Sequence, residues 1–294
     1  MWRWDPVAGA RRLTKEAGVH RCTTGGATVV WSSHTEANQT FTAQHADRPD
    51  VLIASYQADP VVKPNITWLS VGSRQIRAAL LLPSWWRPGF GKLPVLMNPY
   101  GGPAVQRVTR TGDRSWQMCE AQWFAEQGFA VVMADGSGTP GRGPAWEKEV
   151  YGDSLSSVLA DQVDTLQGTA ECYPVLDLNR VAIRGWSFGG TLAAAAVLRR
   201  PDIFHAAISG AAPSDAALYE TCYRERFLGK PQDNRDGYRR GSTINEAANL
   251  TRPLLLIHGI ADGTSWSATP YECQTHSSRP GVPTSCSCSP ARPT

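Results

Sequence analysis

Two kinds of apolar pattern divide the chain. Up to about residue 80, short β-branched or apolar runs are separated by Gly, Asn, Asp and Pro, as in residues 27–33 (ATVVWSS) and 75–83 (QIRAALLLP). These runs predict strands, with Gly25-Gly26 as a hairpin turn, and no helical stripe occurs among them. From about residue 90 the periodicity changes. Apolar strands are predicted at 93–102 (LPVLMNPYGG, ending in a Gly-rich turn), 129–136 (FAVVMADG), 180–185 (RVAIRG), 205–210 (HAAISG) and 253–259 (PLLLIHG). Between them lie helical patterns at 115–128, with a Ser N-cap and a Gly stop, at 156–166 and at 191–198. In the second of these, Val158, Leu159, Val163 and Leu166 fall on one helical face. Strands alternating with helices predict an α/β fold, a mostly parallel sheet with helices on both faces.

Composition narrows the classes. A chain of 294 residues holds one sizeable core plus a fragment of something else. With 41% apolar and 19% charged residues it reads as globular. The net charge of +3, without a concentrated Lys/Arg run, gives no reason to expect nucleic acid as a partner. No apolar stretch approaches the roughly 20 residues of a membrane span, so no membrane partner is expected. The N-terminal stretch MWRWDPVAGARR lacks an apolar signal core, and the expected location is cytoplasmic. Cys22, Cys119, Cys172 and Cys222 are scattered singly, as in a reduced protein.

The candidate chemistry centres on Gly185-Trp186-Ser187-Phe188-Gly189. This Gly-x-Ser-x-Gly follows a predicted strand and opens an Ala-rich helix, the setting in which a serine projects as a nucleophile from a sharp turn. The flanking glycines permit a turn too tight for a Cβ. The backbone N–H of Phe188, at the helix start, then points at a developing oxyanion.

With GWSFGG, NPYGGP, DGSGTPGRG and HGIAD in this order, residues 80–262 resemble the catalytic domain of the prolyl oligopeptidase family, most closely its dipeptidyl peptidase IV branch. The resemblance implies an α/β-hydrolase domain over 81–262, preceded over 1–80 by a β-rich remnant of a β-propeller. It implies a serine peptidase that takes a peptide substrate, uses no cofactor or metal, and cleaves after Pro or Ala near the N-terminus. Self-association is left open. By the same resemblance Ser187 is the nucleophile, Asp262 the triad acid and Tyr100 the hydroxyl that completes the oxyanion hole with Phe188 N–H. LYETCYRERFLG, residues 218–229, matches the segment lining the pocket for proline or alanine. Tyr219 and Tyr223 are four apart, so they are expected to share a helical face. His258 is implied to be structural, and His205 reads as a packing residue. The acidic residues that hold the substrate amine in that branch have no counterpart to assign.

The pattern fails after Asp262. A triad needs a His there, following one more helix and strand. More than half of residues 263–294 are Ser, Thr or Pro, and the span is expected to be a disordered tail without helix or apolar strand. Its one histidine, His276, follows Asp262 too closely for a helix and a strand to intervene. Cys273, His276, Cys286 and Cys288 match no familiar zinc spacing, so no metal site is expected. Restoring one base at the Thr264 codon, with GC-rich codon choice, gives Asn followed by an amphipathic helical stretch. A single-base deletion or a sequencing error is therefore the expected origin of the tail, and the chain is expected to be an inactive or crippled peptidase. The alternatives are a non-catalytic relic, or an acyl-peptide hydrolase or esterase on the same fold.

Overall fold

A computed structural model describes residues 1–35, 39–45, 47–111, 115–259 and 262, and the backbone of 284–289. The chain divides into two compact units, residues 1–64 with 109–123, and residues 65–108 with 124–294.

The first unit is built of antiparallel strands. β1 (Trp2–Asp5) and β2 (Gly9–Arg12) form a hairpin. Its turn is held by Asp5, whose carboxylate accepts the N–H groups of Val7 and Ala8 at 2.9 Å each. β3 (Val19–Gly25), β4 (Thr28–His34), β5 (Gln39–His45) and β6 (Arg48–Ile53) form a four-stranded meander, with the expected turn at Gly25-Gly26. Sequential antiparallel pairing of four strands is the pattern of one propeller blade. β6 carries Pro49, which cannot donate to a ladder, and it lies at the sheet edge where that defect costs least.

The second unit is organised by an eight-stranded sheet. Its strands are β7 (Ile66–Val71), β8 (Ile76–Leu81), β9 (Leu93–Met97), β10 (Ala130–Asp135), β11 (Leu176–Trp186), β12 (Ala206–Gly210), β13 (Leu254–Gly259) and β14 (Thr284–Ser289). They run in the order β14-β13-β12-β11-β9-β10-β8-β7. All neighbours are parallel except β7–β8 and β8–β10. The helices of the chain are α1 (Trp116–Glu126), whose residues 116–123 fall in the first unit, α2 (Pro144–Lys148), α3 (Ser156–Cys172), α4 (Phe188–Arg199), α5 (Thr221–Leu228) and α6 (Arg235–Arg240). α3 packs on β7, β8 and β10, and α4 on β11 and β12. Val158, Leu159, Val163 and Leu166 are all buried, so the predicted stripe is the packing face of α3. Four consecutive alanines, Ala193 to Ala196, let α4 sit close on the strands, and every residue from Phe188 to Leu198 is buried.

Two spans differ from the sequence-based expectation. The division falls at residues 64/65 rather than 80/81, because β7 and β8 join the large sheet. β8 is buried at five of six positions, as an interior strand requires, and so belongs to the large core. The tail was expected to hold no strand, yet Thr284–Ser289 pairs parallel with β13 as an edge strand. An edge ladder uses backbone groups, which any residue except proline supplies in full. The strand runs between Pro283 and Pro290, which bound the stretch free of proline.

Candidate active site

Ser187 is the single residue between the end of β11 and the start of α4. Its backbone lies at φ 56°, ψ −121°, a region that L-residues rarely occupy and that costs about 1–3 kcal/mol. Bonds on either side hold it there. Its N–H donates to the Gly210 carbonyl at 2.8 Å, and its own carbonyl accepts the Thr191 N–H at 3.1 Å. A Cβ on Gly185 would stand 2.0 Å from the Gly189 carbonyl oxygen, and one on Gly189 would stand 2.9 Å from that of Pro99. The two glycines of the motif thus serve close backbone approach, one folding the turn on itself and the other admitting the loop after β9. Phe188 opens α4, so its N–H has no intrahelical acceptor.

β9 and β11 are neighbours, and from them the chain winds outward in opposite directions. The crevice beyond the carboxyl ends of such strands is where α/β sheets place ligands. Tyr100 follows β9 and Ser187 follows β11, so both lie at this switch point. The Tyr100 ring lies 6.3 Å from that of Phe188, and the Arg107 guanidinium 5.8 Å from the Tyr100 centroid. The loop carrying Tyr100 is anchored at its far end by Asp135, whose carboxylate accepts the N–H groups of Arg107 and Val108 at 2.9 Å each. Burial pushes the Asp135 carboxyl up to about 6, against the pull of those two N–H groups and of the Arg107 charge.

Tyr219 and Tyr223 meet, though not as residues of one helix. Tyr219 is extended and precedes α5, which begins at Thr221. Their rings pack edge to face at 5.6 Å, and Tyr223 packs on Phe227 at 5.1 Å. The two do not share a helical face, because the chain turns into α5 between them. Burial raises the pKa of both phenols, and the neighbouring Tyr100 acts in the same direction on each. Asp262 adds to the shift on Tyr219. Tyr100 therefore lies within electrostatic reach of Tyr219 and Tyr223, and Asp262 within reach of Tyr219. Arg224, on which sequence reasoning placed no role, is buried beside both tyrosines. The available signal was its position four residues before Leu228, which is also buried, on the inner face of α5.

The Asp262 N–H donates to the Gly259 carbonyl at 3.1 Å, and its carboxylate lies 3.8 Å from Nε2 of buried His258. His205 Nδ1 accepts the Val181 N–H at 3.2 Å and joins β12 to β11, a packing role. Cys273 and His276 lie outside the described residues, and of Cys286 and Cys288 only the backbone is described. Among the described residues, no group of three or more His, Cys, Asp or Glu is placed to hold a metal ion, and no helix is long and apolar enough to cross a membrane.

A parallel sheet with a strained serine between strand and helix at its switch point defines the class as an α/β hydrolase. The particular family follows from comparison: the model of the prolyl oligopeptidase family matches residues 115–284, and the chain belongs to that family of serine-type peptidases. Dipeptidyl peptidase 8 of Mus musculus is 37% identical over 58% of this chain and 19% of its own length. A probable dipeptidyl-aminopeptidase B of Aspergillus clavatus is 31% identical over 84% of this chain and 27% of its own length. The crystal structure of Porphyromonas gingivalis dipeptidyl peptidase 4 superposes with a TM-score of 0.84 at 22% identity, covering 98% of this chain and 42% of that one. The chain thus spans about a fifth to a quarter of the curated relatives it matches.

Proposed function

We propose that the second unit carries the acyl-transfer site of a dipeptidyl peptidase, cleaving after proline or alanine near a peptide's N-terminus. In this reading Ser187 Oγ attacks the scissile carbonyl carbon, and its proton passes to a base. Phe188 N–H and the Tyr100 hydroxyl donate to the oxygen as it becomes an oxyanion. The base returns the proton to the leaving amine, and water then releases the acyl group from Ser187. Tyr219 and Tyr223 form the apolar slot for the residue whose carbonyl is attacked, a flat surface suited to a pyrrolidine ring. Asp262 is the acid that orients the base.

The observation that carries the reading is the backbone of Ser187: strain at one non-glycine residue, hydrogen-bonded on both sides, at the point where the loop of Tyr100 meets α4. Strain of this kind persists where the surrounding structure enforces it, and it clusters at active sites. The same proposal holds this chain to be crippled at its base. Within residues 263–294 the one histidine is His276, and loss of a triad member costs about 10⁴–10⁶ in rate.

The test is hydrolysis of a chromogenic Xaa-Pro dipeptide substrate by the purified 294-residue chain, by its Ser187→Ala variant, and by a chain with the reading frame restored at codon 264 and extended to its natural stop. Turnover by the restored chain alone is expected. Ser187-dependent turnover by the 294-residue chain would overturn the claim of a missing base. Absence of turnover in the restored chain would count against the peptide substrate class.

A further inference from the structure

Arg224 is a charged side chain that the proposed chemistry leaves unused. It lies on α5 with only 3% of its surface exposed. Its guanidinium stands 5.1 Å from the centroid of Tyr219 and 5.9 Å from that of Tyr223, the two rings of the slot. Its Nε is buried without a hydrogen-bond partner, and among the described residues no carboxylate pairs with it. Asp215 is the carboxylate whose charge reaches it. The Asp215 oxygen Oδ1 is committed elsewhere, accepting the Ala217 N–H at 2.8 Å and the Ser242 hydroxyl at 3.1 Å. Burial pulls the Arg224 pKa down, yet an arginine remains charged at neutral pH.

A buried cation without a counter-ion is unfavourable unless something supplies the acceptor. Ring faces attract a guanidinium from above, but they leave its in-plane N–H groups unsatisfied. Those N–H groups form a planar fork that matches a carboxylate. The wall on which Arg224 lies is the one read above as receiving the side chain next to the scissile bond. We propose that Arg224 is a specificity residue of this slot, binding the side-chain carboxylate of a substrate with glutamate or aspartate in place of proline or alanine. The proposal rests on the peptidase reading and widens the substrate class assigned to it.

The test uses binding rather than turnover, so it needs no working base. Affinities of Ala-Glu-amide, Ala-Gln-amide and Ala-Pro-amide are measured by calorimetry on the 294-residue chain and on Arg224→Met. Glutamate and glutamine differ in charge at nearly equal size, so their ratio reads the guanidinium alone. The wild-type chain is expected to bind the Glu peptide about tenfold more tightly than the Gln peptide, as a charge-assisted fork implies. Arg224→Met should bring the two within about twofold and move Ala-Pro-amide by less than about threefold. A purely structural stack of Arg224 on the tyrosines would lower all three affinities together. Equal binding of the Glu and Gln peptides by the wild-type chain, with Ala-Pro-amide bound, overturns the assignment and leaves the peptidase reading standing. Failure of all three peptides to bind overturns both. If Arg224→Met does not fold, the wild-type Glu-to-Gln ratio decides alone.

Discussion

Asp135 couples a buried charge to the loop that carries Tyr100. It is 2% exposed, and its folded pKa is raised from 3.8 to about 6. A shift of this size corresponds to about 3 kcal/mol. The folded pKa lies above the unfolded one, so the stability contributed by this group is fully present below the unfolded value. It is lost as the pH rises through about 6. At pH 8 the whole of it is gone, and at pH 5 about half, or roughly 1.5 kcal/mol, is present. Asp135→Asn removes the titration but keeps Oδ1 for one of the two N–H donors. Its amide NH₂ faces the other donor, a mismatch that costs about 1–3 kcal/mol at every pH. The expected outcome is a variant whose loss of stability is about 1.5 kcal/mol greater at pH 5 than at pH 8. Urea unfolding of both proteins at the two pH values measures it, since the midpoint and slope give each free energy. A loss equal at both pH values within about 0.5 kcal/mol would refute the raised pKa: the carboxyl would then titrate as if exposed, or the Arg107 and Val108 N–H groups would outweigh burial.

Ser187→Gly removes both the hydroxyl and the penalty for a side chain at φ 56°. Set against the greater freedom of glycine in the unfolded chain, relief of the strain is expected to stabilise the protein by about 1 kcal/mol, a rise of about 2–4 °C in Tm. Labelling of the frame-restored chain by a fluorophosphonate should disappear on the same substitution, and a lowered Tm would show that the serine backbone is not strained. Tyr100→Phe in the frame-restored chain is expected to lower kcat by about 10²–10³ with KM little changed, as for loss of one oxyanion donor. A fall of less than about threefold would remove Tyr100 from that role.

The central sheet was legible because its strands are short apolar runs separated by helices with a single apolar stripe. Such patterns report burial directly, and the stripe of Val158, Leu159, Val163 and Leu166 is the packing face of α3. The turn at Ser187 was legible for a related reason. Gly185 and Gly189 sit where backbones approach too closely for a Cβ, so their spacing encodes the turn in the sequence itself. The boundary of the second unit was harder to place. A buried antiparallel strand such as β8 and a propeller strand carry the same local pattern. Only pairing with β10, about fifty residues later in the chain, assigns it to the large sheet. β14 carries no pattern at all, because its place in the sheet depends on backbone pairing with β13.

The site shows where local reading stops. A period of four linked Tyr219 to Tyr223, and the rings do touch, but they do so across the start of α5 rather than along it. The same helical logic, applied to α5 itself, places Arg224 on the face of Leu228, a position where an apolar side chain is the expectation. That conflict between residue type and position was visible in the sequence, yet its meaning depends on what surrounds the guanidinium. Two tyrosine faces surround it, and the carboxylate within reach is already engaged by Ala217 and Ser242, so its buried Nε is left without an acceptor. A residue type that conflicts with a buried position marks either a network completed within the protein or a site completed by a ligand. The half-buried Arg74 shows what a network completed within the protein looks like, paired with Asp161 and Glu149 and bonded to Ser137. Arg224 has no such partners among the described residues, and this difference separates a structural arginine from one available to a substrate.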